Sequence, residues 1–187
     1  MRRLILFMHI SLDGFVAGLN GGMDWIHVDE EMFEYAGNQT DMADTALYGR
    51  VTFQMMESYW PTAADQPNAT KHDIQHSKWY NSVTKIVVSK TLQQGFSNTK
   101  IISDNIADEI KKIKQQPGKN ILIFGSSSIV HQLMQDNLID DYWLFINPLL
   151  LGTGIPLFKN IKDRINLKLL ENKILASGVI GLHYERN

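Results

Sequence analysis

Residues 120–134, NILIFGSSSIVHQLM, pass from a buried strand to a helix within one turn. Four apolar residues, Ile121–Phe124, predict a strand covered on both faces, and Gly125 ends it. The serines Ser126–Ser128 then lead into a helical pattern of apolar residues. Such a turn aims the unpaired N–H groups of the first helical turn at the space above the strand's carboxyl end, where a phosphate binds well. An ordinary strand-to-helix turn with a serine cap explains the same residues, so both interpretations stay open at this point.

The composition is typical of a globular protein with no polyanionic partner. Of the 187 residues, 44% are hydrophobic and 20% charged, and 18 basic against 20 acidic side chains give a net charge of −2. A nucleic acid or an anionic membrane would require a basic face, so neither is expected as a partner. The chain has no cysteine, which excludes thiolate zinc sites and cysteine nucleophiles and is consistent with the cytoplasm.

Strands and helices alternate along most of the chain. N-terminal to residues 120–134, the periodicity predicts strands over Leu4–Ile10, Thr45–Tyr48, Lys85–Ser89 and Lys100–Ser103. It predicts helices over Asp29–Ala43, Val51–Met56 and Ile106–Gln116. After it come a strand over Asp141–Pro148, an apolar loop over Leu149–Phe158, and two alternating patterns ending at Leu169 and Tyr184. This order predicts one α/β domain over residues 1–187: a three-layer, mostly parallel central sheet with helices on both faces and a C-terminal antiparallel hairpin.

A second strand–glycine–helix junction lies at Gly49–Arg50. If both preceding strands run the same way, the two helix starts face one edge of the sheet and can hold the two phosphates of a dinucleotide. Neither junction has the P-loop lysine or the G-x-G-x-x-G pattern. Residues Ser89–Thr91, just past a third strand, would add hydroxyls and the cation of Lys90 near an adenosine 2′-phosphate, although Lys90 also fits a solvated strand end.

The remaining polar motifs favour no other chemistry. His72 and His76 are four residues apart, but no third ligand is evident in the polar segment Pro61–Lys78, so no metal site is predicted. That segment is expected to be a surface excursion ending in a short helix. Asp104 is expected to cap the helix that follows it, and His131 to be solvated. The serine-hydrolase motif G-x-S-x-G is absent.

Five blocks in order resemble the dihydrofolate reductase-like superfamily. They are HISLDGFVAG with NGGMDW (residues 9–25), ALYGRVTFQMM with YWP (46–61), KIVVSKTL (85–92), ILIFGSSSIVHQLM (121–134) and LIDDYWLFINPLLLGTGIPLF (138–158). Within the superfamily, the chain is most similar to the branch that contains the reductase domain of riboflavin biosynthesis and small stand-alone dihydrofolate reductase family proteins. The resemblance covers nearly the whole chain.

The resemblance implies that NADPH lies across the carboxyl edge of the sheet. Carried over by motif, the cofactor-binding residues would be Ile10, Ala17, Gly49, Arg50, Thr52, Ser89, Lys90, Gly125, Ser126, Ser127, Ser128 and Ile129. The two helix starts would meet the phosphates, Ser89 and Lys90 the 2′-phosphate, and Ile10 and Ala17 the nicotinamide. Dihydrofolate reductases usually carry a Gly-Gly pair where this chain has Gly125-Ser126.

The resemblance is less complete on the substrate side. Dihydrofolate reductases place an acid five residues after the loop Trp, and counting from Trp25 reaches Glu30, with Asp29 beside it. The usual prolines around that Trp are missing, so Glu30 and Asp29 fit a catalytic acid and helix-start residues equally well. Asp13, in the SLDG block, is predicted to shape the loop turn at the active site. Trp25, Phe33, Gly152 and Thr153 complete the predicted substrate site.

The expected function is an NADPH-dependent reductase. It would pass hydride to a C=N or similar bond of a pyrimidine- or pterin-like small molecule, with Glu30 or water supplying the proton. The alternative is a non-catalytic nucleotide- or ligand-binding module on the same fold. A homodimer is expected through the apolar C-terminal strands and the Leu149–Phe158 loop.

Overall fold

The computed structural model describes residues 1–187, and an eight-stranded sheet is its centre. Ten strands are present: β1 (Leu4–Ser11), β2 (Phe15–Ala17), β3 (Ala43–Gly49), β4 (Thr84–Val88), β5 (Thr99–Ile102), β6 (Asn120–Ile123), β7 (Asp141–Asn147), β8 (Ile155–Pro156), β9 (Leu167–Ile174) and β10 (Ile180–Arg186). The large sheet has the order β5-β4-β3-β6-β1-β7-β10-β9, and β2 pairs with β8 in a separate two-stranded sheet. The first six strands in this order, from β5 at one edge through β4, β3, β6 and β1 to β7, are mutually parallel. Strand β10 runs antiparallel to β7 and to β9.

Helices cover both faces of this sheet. They are α1 (Glu30–Asp41), α2 (Arg50–Glu57), α3 (Lys71–Ser82), α4 (Ile106–Gln115) and α5 (Ser127–Gln135), with a short 3-10 helix at Trp60–Asp65. Helices α4 and α5 pack their isoleucines, valine and leucine on one face, against Leu4, Leu6 and Ile123. Helix α1 packs Met32 and Tyr35 on the opposite face, and α2 and α3 place Phe53 and Tyr80 there too. The predicted three-layer α/β fold with a C-terminal hairpin is confirmed.

Strand β1 lies inside the sheet, between β6 and β7, and its residues are buried on both faces. Leu4 and Leu6 belong to the α4/α5 side of the core, and Ile5 and Phe7 to the α1 side. Parallel strands covered by helices on both faces have continuously apolar sequences, and β1 has such a sequence. None of the helices has the length and apolar character needed to cross a bilayer.

After the neighbouring strands β3 and β6, the chain continues toward opposite edges of the sheet. From β3 the chain passes through α2 and α3 to β4, and from β6 it passes through α5 to β7 on the far side of β1. Ligands of open α/β sheets bind in the crevice at such a switch point, outside the carboxyl ends of the strands. The fold therefore places a crevice above the ends of β3 and β6.

The helix expected at the end of the segment Pro61–Lys78 is present but longer than predicted: the segment holds the 3-10 helix and most of α3, a twelve-residue helix whose capping box joins Thr70 and Asp73 and which buries Tyr80 completely. Two other local expectations were wrong. Asp104 does not cap α4, because Asn105, at φ 49°, occupies the N-cap position. His131 is not simply solvated, since its Nε2 lies 2.7 Å from the carbonyl oxygen of Leu157.

Candidate active site

The two strand–glycine–helix junctions lie side by side. Strands β3 and β6 are parallel neighbours, and the N–H of Gly49 donates to the carbonyl oxygen of Gly125 at 2.8 Å. Gly49 is the N-cap of α2, and Ser126, whose peptide bond to Gly125 is cis, is the N-cap of α5. The prediction that both helix starts face one edge of the sheet is confirmed.

Close packing requires a glycine at each junction. A Cβ at position 49 would lie 2.5 Å from the Oγ of Ser126, and Gly125 has φ 111°, a conformation that side chains rarely adopt. A Cβ at position 125 would also press on Thr52, at 3.3 Å from its Oγ1. The two turns therefore form a tight cradle of backbone groups.

Neither helix start is capped by a side chain. Gly49 has none to offer, and the Oγ of Ser126 is paired with the Oγ of Ser128 at 2.7 Å. The N–H of Ile129 donates to the carbonyl oxygen of Ser126 at 3.1 Å, whereas those of Ser127 and Ser128 have no backbone acceptor. The free N–H groups of the two first turns thus remain available to an anion at the positive ends of the helix dipoles. This chemistry fits the pyrophosphate of a dinucleotide such as NADPH.

A long cleft runs from these junctions along the carboxyl edge of the sheet. Most of the predicted cofactor residues line it: Ala17, Gly49, Arg50, Thr52, Ser89, Lys90, Gly125, Ser126, Ser127, Ser128 and Ile129. Phe33, predicted for the substrate, lines it as well. Ile10 is only 6% exposed and lies in the core just beneath. One cleft therefore brings together residues from four strand ends and three helices.

One end of the cleft carries free cationic groups. The Oγ of Ser89 accepts hydrogen bonds from the N–H groups of Thr91 and Leu92, which shapes the turn after β4. That turn leaves Lys90 exposed, with no ion pair. Arg50 is also exposed, and its guanidinium donates to Gln54 at 2.8 Å. Both side chains line the cleft and are cations of the kind that pair with phosphate groups.

Asp13 ties two loops together beside the cleft. Its carboxylate accepts hydrogen bonds from the Oγ of Ser11 at 2.6 Å and from the N–H groups of Leu151 and Gly152 at 3.1 and 2.7 Å. These bonds, that from Ser11 foremost, lower the pKa of Asp13. The carboxylate is thus fully engaged, and neither Asp13 nor the neighbouring Gly152 and Thr153 line the cleft.

The two acids after Trp25 lie at the helix start outside the cleft. The Oδ1 of Asp29, the N-cap of α1, accepts from the N–H of Met32 at 2.7 Å. Glu30 is exposed in the first turn of the helix. Trp25 donates from its indole to the carbonyl oxygen of Gly22 at 3.3 Å. Of these three residues, none lines the cleft, so the structure does not bring them together with the cofactor residues.

An aromatic wall forms the α1 side of the cleft, and sequence reasoning missed it. The His72 ring stacks on Phe33 at 3.7 Å, and His76 lies between Trp60 and Trp79 at 4.1 and 5.1 Å. Burial lowers the pKa of His76 to about 3 and that of His72 below its usual value. Both imidazoles are therefore neutral at pH 7, and no cluster of three metal-ligating side chains is present. The available signal was the spacing of His72, His76 and Trp79, which places them on one face of a helix.

The floor of the cleft includes His9, which sequence reasoning also missed. It stands near the carboxyl end of β1, with its ring stacked on Phe145 at 5.0 Å. Its Nδ1 lies 3.4 Å from the side-chain amide of Asn147. Burial lowers the pKa of His9 to about 4.

Comparison with known proteins agrees with this geometry. The family described as RibD C-terminal domain matches residues 2–180. The protein YyaP of Bacillus subtilis strain 168 is 38% identical over 189 residues, covering 100% of this chain and 96% of its own. Among solved structures, a putative riboflavin biosynthesis protein from Shewanella sp. PV-4 has a TM-score of 0.75 at 22% identity, over 99% of both chains. Dihydrofolate reductase from Enterococcus faecalis, solved with NADP(H), has a TM-score of 0.66 at 15% identity, over 99% of this chain and 96% of its own. The chain belongs to the RibD C-terminal domain family, and it has the dihydrofolate reductase-like fold.

Proposed function

We propose that the protein is an NADPH-dependent reductase of a pyrimidine- or pterin-like small molecule. The observation that carries the proposal is the pair of uncapped helix starts, which meet through the Gly49–Gly125 hydrogen bond at the switch point of the sheet. A reductase of the kind found in riboflavin biosynthesis is the nearest activity, because the chain belongs to that domain family.

The cofactor's phosphates bind between the two junctions. The first-turn N–H groups of α2, with Arg50 and Thr52, hold one phosphate, and the N–H groups of Ser126, Ser127 and Ser128 hold the other, with Ile129 packed beside them. Ser89 and Lys90 meet the 2′-phosphate, and Ala17, above Ile10, borders the nicotinamide. NADPH, when bound, supplies the hydride. The chain's own contribution is to hold the donor and acceptor carbons about 3–3.5 Å apart in the right orientation and to exclude water from them.

The proton comes from water rather than from Glu30. A general acid must reach the substrate directly or through one water, and Glu30 is exposed outside the cleft. Replacing Glu30 with Gln is therefore expected to change kcat less than about threefold. A loss of 100-fold or more, the size associated with general acid catalysis, would restore Glu30 as the proton donor.

The loop that follows β7 offers little positive charge to a phosphate on the substrate. The loop from Leu149 to Phe158 has no basic residue and is followed only by Lys159. Arg50 is already assigned to the cofactor. We therefore place the reduction of a planar heterocycle ahead of any particular phosphorylated substrate.

Titration with NADPH and NADH, followed by turnover assays, tests the function. NADPH is expected to bind at least tenfold more tightly than NADH, and to be oxidised in the presence of a pterin or a diaminopyrimidine ribosyl phosphate. Absence of binding by either nucleotide, or a preference for NADH, would reject the proposal. Tight NADPH binding with no turnover over the whole panel would favour the non-catalytic binding module instead.

The cytoplasmic location and the homodimer that the sequence suggests are predictions of their own, separate from the activity.

A further inference from the structure

His9 presents its ring to the α1 side of the cleft. Along β1, Leu4, Leu6 and Met8 point to the α4/α5 face, and Phe7 points to the α1 face. Strand alternation puts His9 on the same face as Phe7, two residues nearer the carboxyl end. His9 lines the same cleft as the aromatic side chains Phe33 of α1 and His72 of α3.

Asn147 fixes which nitrogen of His9 carries the proton. The Oδ1 of Asn147 accepts from the N–H of His27 at 2.9 Å, so its Nδ2 is the donor end of the amide. That Nδ2 donates to the carbonyl oxygens of Phe145 and Ile10 at 3.1 and 3.3 Å. It also faces the Nδ1 of His9 at 3.4 Å. Asn147 is completely buried, so its orientation is fixed. An amide nitrogen donates hydrogens and accepts none, so a proton on His9 Nδ1 would face another donor, and the neutral ring carries its proton on Nε2.

The other ring nitrogen of His9 has no partner in the protein. Its Nε2 takes part in no hydrogen bond, and this atom is not fully buried. Since His9 lines the cleft, this nitrogen faces the cleft's interior. The ring is neutral at pH 7 because burial holds its pKa near 4. His9 therefore offers one fixed, uncharged N–H donor where the substrate is expected to lie.

We propose that His9 is a specificity-determining residue whose Nε2–H donates a hydrogen bond to a carbonyl oxygen of a planar, uncharged heterocyclic substrate. This inference rests on the proposed function and adds the substrate's chemical class to it. Asp29 and Glu30 lie outside the cleft, and the carboxylates that do line it are those of Glu34, Asp41 and Asp44, of which Asp44 is ion-paired with Arg2. The preference for a carbonyl oxygen comes from the fixed donor of His9. The aromatic wall of Phe33, His72 and Trp60 offers flat surfaces on which an aromatic ring stacks.

Two flat probes of nearly equal size separate the possibilities. Lumazine has two carbonyl oxygens on its pyrimidine ring, whereas 2,4-diaminopteridine has amino groups at the same positions. We expect the wild-type protein to bind lumazine at least tenfold more tightly, measured by calorimetry both without nucleotide and with saturating NADPH. The His9→Leu variant is expected to lose about tenfold in lumazine affinity and to bind 2,4-diaminopteridine unchanged. His9→Gln, which keeps a donor, is expected to retain most of the preference.

Ring-nitrogen NMR supplies a readout that does not depend on these variants folding. Spectra of the wild-type protein labelled with ¹⁵N-histidine are expected to show His9 as the neutral Nε2–H tautomer at pH 7, and lumazine is expected to shift its Nε2 resonance. A protonated ring, the Nδ1–H tautomer, or a preference for 2,4-diaminopteridine would overturn the proposal. If NADPH fails to bind while the lumazine preference and the NMR shift are observed, the proposed function fails and the assignment of His9 stands.

Discussion

The N–H of Gly49 donates to the carbonyl oxygen of Gly125 at 2.8 Å, which joins two turns that lie 76 residues apart in the chain. This bond connects the ends of β3 and β6 at the point where the chain leaves the sheet toward opposite faces. Both helix starts are thereby held against each other, and their free N–H groups point into one crevice. The proposed reductase depends on this spacing.

A side chain at position 49 should separate the two turns. In Gly49→Ala the new Cβ would lie 2.5 Å from the Oγ of Ser126, so one turn must move and the NADPH dissociation constant is expected to rise at least tenfold. Adding Ser126→Gly removes that Oγ and the Cβ behind it, and is expected to recover part of the affinity. Fluorescence titration measures both, with thermal melting as the control for folding. Unchanged affinity in Gly49→Ala would show that the pyrophosphate lies elsewhere.

Removing the cation of Lys90 should lower the preference for NADPH over NADH. Lys90 has no ion pair to lose, and a charge-assisted hydrogen bond to a phosphate contributes about 1.5–3 kcal/mol. Lys90→Ala is therefore expected to weaken NADPH binding about tenfold or more and to leave NADH binding nearly unchanged. Lys111→Ala, on the exposed side of α4, is the matched control. An equal loss for both nucleotides would place Lys90 away from the 2′-phosphate.

Removing the carboxylate of Asp13 should loosen the loop that follows β7. The N–H groups of Leu151 and Gly152 lose their acceptor in Asp13→Ala. Hydrogen exchange at these two amides is expected to accelerate at least tenfold, while the NADPH affinity changes little. Asp24→Ala, at an exposed position of the first loop, is the control. If the exchange rates stay the same but turnover disappears, Asp13 acts on the reaction and not on the loop.

Acid should destabilise the protein through His9 and His76. Burial lowers their pKa values from 6.5 to about 4 and about 3, so the unfolded chain takes up protons that the folded chain rejects. Their contribution to stability is complete above pH 6.5 and is lost as the pH falls toward the folded pKa. At pH 5 each of the two histidines lowers the free energy of unfolding by about 2 kcal/mol relative to its value at neutral pH. Urea unfolding at pH 7.5 and pH 5 measures the loss, which His76→Phe is expected to reduce. A loss equal to that of the wild-type protein would mean that His76 already titrates normally when folded.

The outer edge of the sheet is expected to mediate a homodimer. Strand β9 exposes Leu167, Leu169, Leu170 and Ile174, and Leu150 in the preceding loop is 70% exposed. An apolar edge strand of this kind tends to pair with another chain. Sedimentation is expected to give twice the 21.3 kDa mass of one chain. Leu169→Glu should dissociate the dimer, whereas Ile74→Glu, at an exposed position on α3, should not. A wild-type monomer at high concentration would contradict the prediction.

Local patterns were sufficient to predict the architecture. The apolar runs of β1 and β6, the alternation in β9 and β10, and the glycines that end β3 and β6 each act within a few residues. Periodicities of 2 and 3.6 residues set which face is buried, so the strands, most helices and both junctions could be read directly. The helix expected at the end of the Pro61–Lys78 segment is present as α3, but its twelve-residue length could not be read from the sequence, because most of its residues are polar and exposed.

The sequence by itself determined the α/β sheet, its C-terminal hairpin and the two turns that can hold a dinucleotide, because short-range sterics and burial periodicity decide those. Only the tertiary structure decided what surrounds the substrate. The pairing of His9 with Asn147 spans 138 residues, and that of Asp13 with Gly152 spans 139. Contacts at such separations leave no periodic signal in the chain, and they form only when packing of the strands brings their loops together.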